Sequence, residues 1–240
     1  MIKAFIYINL AFILSCNVFD EQIAPLEGKF YIQDGWLAFS SQLYNESIKH
    51  FNTAIETNEF GSLYHILSSI GKGWSFMYEA KSSISNDSVT NALLDSSSSN
   101  FVFAMDLYLS NNNIFEFQDD LLNLYTGLML QNSFSAKYKS TIKTYQVDIN
   151  LNKEIDSLYK QSIIFASKID RPFNFQYDDK INDDKISLIN IENYIMVGEL
   201  DSAIYYYLQD GFECDGMEIN HNSIISCLCI DMNDGACPFE

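Results

Sequence analysis

Between Gly35 and Glu56 the chain reads GWLAFSSQLYNESIKHFNTAIE, and this stretch limits its folding options more than any other. Gly35, Trp36 and Phe39 open one helical stripe. Tyr44 sits near a turn, and Ser47, Ile48, Phe51, Ala54 and Ile55 form a second stripe at steps of three and four, the period of an amphipathic helix. Gly35, Ser47 and Ala54 are small where the two helices cross, so the backbones approach closely, while Phe51 fills the space between hairpins. A single hairpin cannot bury its apolar face alone, so neighbours must stack against it. The expected fold is all-α: three or four helical hairpins in a short solenoid.

The rest of the chain restates the unit loosely. Gly71-Lys72-Gly73-Trp74 repeats the Gly-Trp pair 38 residues on, and Ser97, Phe101 and Ala104 repeat the spacing of Ser47, Phe51 and Ala54 after a twelve-residue insertion across Lys81 to Leu94. Asp87 or Ser88 suits an N-cap there, and Asn111 to Asn113 mark a loop. The glycines of Gly71-Lys72-Gly73 lack the GxxxxGK[ST] frame of a phosphate loop and serve close helix contact. A third, degenerate unit runs through Leu121, Leu122, Leu124, Tyr125, Gly127, Leu128 and Leu130, with a partner helix over Asn152 to Ile169. The connector Ser133 to Asn150 fits a helix extension or a loop, and Arg171-Pro172 to Asp179 breaks the run. A fourth unit spans Ile186 to Leu208 around the tight turn Gly198 to Asp201. The set Gly35, Ser47, Phe51 and Ala54 resembles the tetratricopeptide repeat (TPR), with Glu59 standing where that family ends its second helix with Pro. The resemblance covers about Gly28 to Gln209, and NYIMVGELDSAIYYYL is its closest local match in the last unit. It implies a TPR-like solenoid with a concave binding face, on which Asn45, Tyr78 and Tyr125 are candidate groove residues.

The N-terminus reads as an address. Lys3 supplies the positive charge, and Ala4 to Leu14 form an apolar run of 11 residues interrupted only by Asn9. That is too short to span a bilayer and suits a secretory signal. Ile13-Leu14-Ser15-Cys16 resembles a bacterial lipobox. The resemblance implies cleavage before Cys16, lipidation there by diacylglycerol and a further acyl chain such as palmitate, and hence a membrane anchor. It places the chain in the bacterial cell envelope, at the outer membrane on its periplasmic or surface face. The expected divisions are a signal peptide over 1–15, a tether over 16–27 that contains Pro25, a repeat domain over 28–209 and a Cys-rich C-terminal tail over 210–240.

Charge narrows the partners. Asp and Glu number 32 against 14 Lys and Arg, a formal net charge of −18. Nucleic acid is therefore not expected, because neutralising phosphates needs clustered cations. The tail carries Cys214, Cys227, Cys229 and Cys237, an even count that suits two disulfides stapling a small cap in an oxidising compartment. Cys227 and Cys229 are too close in sequence to pair without strain. With His221 nearby, zinc is the alternative, but the tail lacks CxxC knuckles. Asp231 to Gly235 starts like a calcium loop without its distal Glu. No metal and no cofactor are expected.

No catalytic set emerges. His50, His65 and His221 are the only histidines. Neither GxSxG nor HExxH occurs, and Asp119-Asp120 and Asp183-Asp184 read as acidic helix starts favoured by the dipole. The expected function is a non-enzymatic, membrane-anchored scaffold that holds a protein or peptide partner. Alternatives are a subunit of an outer-membrane assembly or secretion complex, and a lipoprotein that captures glycan or peptide.

Overall fold

The apolar stripes fold as helices. In the computed structural model, the described residues are 28–84, 87–110, 118–141, 149–214 and 216–232. The signal segment, the tether, Cys16, the Asn111 to Asn113 loop and Cys237 lie outside them. Helix α1 spans 28–40. It is followed by α2 (Tyr44–Thr57), α3 (Leu63–Ser82), α4 (Asp87–Ser110), α5 (Gln118–Thr141), α6 (Ile149–Ala166), α7 (Asp183–Met196), α8 (Leu200–Gln209) and α9 (Ile224–Met232). Among the described residues there is no strand, only an isolated bridge between Asn174 and Asn182. The fold is all-α.

Local chemistry sets the boundaries. Gln42 turns the chain between α1 and α2 with φ of 61°. Ser62 caps α3 by accepting from the His65 amide at 3.3 Å, and Asn182 caps α7 by accepting from the Lys185 amide at 3.1 Å, each satisfying an amide the helix leaves unpaired. Gly198, with φ of 80°, makes the turn between α7 and α8 that a side chain at that position would strain.

Consecutive helices from α1 to α7 pack against one another, and one device recurs at the joints. Ser47 of α2 donates to the Gly35 carbonyl of α1 at 2.8 Å. Ser97 of α4 donates to the Gly73 carbonyl of α3 at 2.8 Å. Ser162 of α6 donates to the Met129 carbonyl of α5 at 2.8 Å. One turn after the serine comes the filler. Phe51 lies between Gly35 and Gly71, where a Cβ on Gly35 would fall 2.7 Å from its ring and one on Gly71 closer still. Phe101 lies between Gly73 and Gly127 in the same way. Both rings are fully buried, each worth roughly 1.5–3 kcal/mol of transfer free energy. Glycine is required at these points for approach, not for backbone freedom.

Two cores result. The larger runs from Ile32 through Phe51, Trp74, Phe101 and Met129 to Ile186. The smaller gathers Leu188, Ile191, Ile195, Ala203 and Tyr207 with Ile224, Cys227 and Leu228 of α9. Cys214 bonds to Cys227 with a Cα–Cα distance of 5.1 Å, tying the loop after α8 to α9. Cys229 is also disulfide-bonded.

The structure settles several local points. Asp87 is the first residue of α4, and its carboxylate accepts from the Tyr138 hydroxyl at 2.8 Å. The connector after Ser133 continues α5 to Thr141. Asp231 and Met232 belong to α9, and Asp231 accepts from the Tyr207 hydroxyl.

Candidate functional site

The segment between α6 and α7, residues 167–182, does more than break the helical run. It crosses the face formed by α1 and α3 as a strap. Phe175 stacks on Trp74 with ring centroids 4.2 Å apart, and Tyr177 stacks on Trp36 at 4.0 Å. The recurring Gly-Trp pair thereby acquires a physical reason. Gly35 and Gly73 admit the phenylalanine of the following helix, and the tryptophan beside each carries an aromatic of the strap. The strap holds its own shape: the Phe175 amide donates to the Ile181 carbonyl at 2.9 Å, and the Phe173 amide donates to Asp183 Oδ1 at 2.8 Å. Arg171 pairs with Asp210 at 3.1 Å.

The strap leaves one end of this face open. A cleft of about 670 Å³ lies between the α1–α2 turn, the C-terminal half of α3, the strap and the first turn of α7. Phe39, Tyr44 and Tyr78 form its aromatic wall, and Lys81, Asp178, Asp179, Lys180 and Lys185 its charged groups. The Tyr78 hydroxyl donates to Asp178 Oδ2 at 2.6 Å, which latches the strap to α3. Burial, reinforced by that bond and the Asp178 charge, raises the Tyr78 phenol well above its ordinary range. Burial and the Asp178 charge raise Tyr44 too, and burial with the Asp120 charge pushes Tyr177 up to about 12. All three phenols remain protonated donors at neutral pH. Burial pushes the Lys81 ammonium down to about 8, opposed by Asp178 and aided by Lys185. The ammonium sits 4.4 Å over the Tyr78 ring and 5.5 Å over that of Phe134.

Of the groove residues expected from the sequence, two gather at this end. Tyr78 lines the cleft, and Asn45, beside Tyr44, donates to Glu79 Oε1 at 3.0 Å. Tyr125 does not line it; it packs on Phe165 at 6.3 Å, with the Lys168 ammonium 5.3 Å from its ring. His50, His65 and His221 are also elsewhere. The His65 ring accepts from the Gly61 amide and lies between Phe60 and Phe103, and His221 pairs with Asp201 at 2.7 Å. The sequence reading missed Lys81, Asp178 and Lys185. Among the described residues no group of three or more His, Cys, Asp or Glu is placed to hold a metal ion, and no helix is long and apolar enough to cross a membrane.

The chain matches no family model, no curated protein and no solved structure.

Proposed function

We propose that this chain is a lipid-anchored, non-catalytic scaffold of the bacterial envelope, built as a short TPR-like solenoid with a disulfide-stapled C-terminal cap. The observation that carries the solenoid is the recurrence of one joint: Ser47, Ser97 and Ser162 each close onto a carbonyl of the preceding helix. Such repetition of a single contact is how stacked hairpins bury a continuous core. The second core and the Cys214–Cys227 bond support the cap. Lys3, the apolar run Ala4 to Leu14 and Ser15-Cys16 support the anchor.

The aromatic cleft favours a second reading, capture of a small glycan or peptide, because pockets of this size bury small ligands. Crosslinking and co-purification of the tagged lipoprotein from detergent-solubilised membranes separates the two. A stoichiometric protein partner supports the scaffold and, where that partner is a barrel or secretion component, an assembly subunit. A retained glycan or peptide with no protein partner supports capture. The anchor has its own test: Cys16→Ala releases the protein from membranes, and continued retention overturns the lipid attachment.

A further inference from the structure

We propose that His65 is an acid-sensitive clasp on the turn between α2 and α3: neutral, it closes the cap of α3, and protonated, it releases it. The device depends on neither the lipid anchor nor a partner.

The turn is tied twice to this one residue. Ser62, the N-cap of α3, accepts from the His65 amide at 3.3 Å. The His65 ring reaches back and accepts from the Gly61 amide through Nδ1, also at 3.3 Å. Together the two bonds make a variant of the capping box, with the return bond one residue longer. Glutamate or glutamine holds the third helical position in that motif as a rule, and both remain acceptors at neutral pH. Histidine does not. A neutral ring that accepts at Nδ1 carries its proton on Nε2. The next proton goes to Nδ1, and the acceptor becomes a donor aimed at the donating Gly61 N–H. The bond is then lost outright.

The surroundings oppose the cation. The residue is 7% exposed. Burial, followed by the charge of Lys72 on the same helix, holds its pKa below the ordinary 6.5. The turn presents Phe60 to the ring, with centroids 5.1 Å apart, and α4 presents Phe103 at 5.4 Å. Among the described residues no carboxylate pairs with His65. The partial positive charge at the start of a helix works against a cation there too.

A folded value below 6.5 means that the open turn binds the proton more tightly than the closed one. The clasp therefore contributes fully above pH 6.5, and its contribution is lost as pH falls through 6.5 towards the lower folded value. Opening separates Phe60 from His65 and Phe103 and unpins the first turn of α3, where Ile66 enters the larger core. The effect extends to the start of α1, because Asn58 in the same turn packs where a Cβ on Gly28 would fall.

The test uses the full-length protein in detergent between about pH 7.5 and about 5, the range in which histidine changes charge. Histidine is ring-labelled for NMR; with three histidines in the chain, the signal absent from His65→Asn belongs to His65. Its midpoint is expected below 6.5. A Glu-specific protease reads the turn at the bond after Glu59, normalised at each pH to a free peptide of residues 57–64. Normalised cleavage of the wild type is expected to rise by about two- to thirtyfold across the range, the size of a lost helix cap, in step with the His65 signal. In His65→Asn the amide oxygen stands in for Nδ1 and takes no proton, so its cleavage is expected to stay flat, whatever its level. Lys72→Met moves the His65 midpoint and the rise in cleavage together to higher pH. A His65 midpoint at or above 6.5, no rise in wild-type cleavage, or a rise that His65→Asn retains overturns the clasp.

Discussion

The joint between α1 and α2 and the joint between α5 and α6 share a hydrogen bond and differ in how they fill space. In the first, the serine closes onto Gly35 and the residue one turn later is Phe51; in the second, the serine closes onto Met129 and the residue one turn later is Ala166. The following helix completes the exchange. Ser47 also bonds Ser75 of α3 at 2.8 Å, and Ser162 also accepts from Asn193 of α7 at 2.8 Å. Four residues before Ser75 stands Gly71; four before Asn193 stands Ile189. The series Gly, Phe, Gly has become Met, Ala, Ile. Interiors are close-packed, so what a joint must keep is its summed volume, not the identity of any residue.

The sharpest way to break this comparison is to empty the filler. Phe51→Ala is expected to cost about 3–5 kcal/mol, the range for a buried aromatic truncated to Ala, whereas Ala166→Gly at the matching position, the last residue of α6, costs less than about 1 kcal/mol, the penalty of glycine in a helix interior. Urea unfolding measures both. Comparable losses would show that the two positions are not equivalent. Overfilling comes next. Gly71→Ala places a Cβ against the Phe51 ring and is expected to cost about 1–3 kcal/mol. Adding Phe51→Leu to Gly71→Ala recovers part of that loss, since the smaller side chain gives the Cβ room. Strict additivity of the two changes would refute the volume exchange.

The shared element should behave alike in both regions. Ser47→Ala and Ser162→Ala each leave buried partners unpaired and are expected to cost about 1–3 kcal/mol. A large difference between them, measured by the same unfolding experiment, would mean the hydrogen bond is not the common frame of the joints.

This exchange also explains what the sequence makes legible. Ser47, Phe51 and Ala54 recur as Ser97, Phe101 and Ala104 at unchanged spacing, so the first two joints are visible by eye. The third is not, because the volume moved to other positions while the serine stayed. The strap was hidden for another reason. Phe173, Phe175 and Tyr177 alternate with polar residues, the period of an extended segment buried on one side, but only the folded chain supplies Trp36 and Trp74 as its platform. The cleft follows the strap. Lys81 lies three residues beyond Tyr78 on α3, so the two sharing a face was foreseeable; that no carboxylate reaches Lys81 is a property of the packed structure.

The two acidic helix starts look the same in sequence and part in the structure, which gives the smallest expected effect. Asp183, at the head of α7, is engaged by the Phe173 amide at 2.8 Å. Asp120, in the first turn of α5, is pushed up to about 6, first by burial and then by the Asp119 charge. A carboxylate whose folded value lies above its ordinary 3.8 binds its proton more tightly when the chain is folded. Its contribution therefore grows as pH falls from about 6 towards 3.8, and above pH 6 its buried charge opposes folding. Asp120→Asn should accordingly raise the urea midpoint at pH 7.5. The gain should shrink through that window and vanish near pH 4. Asp183→Asn removes the charge that the Phe173 amide meets, so it should lower the midpoint at pH 7.5. A pH-independent gain for Asp120→Asn would trace its effect to packing against the strap instead of ionisation. The two pairs would then differ in geometry alone.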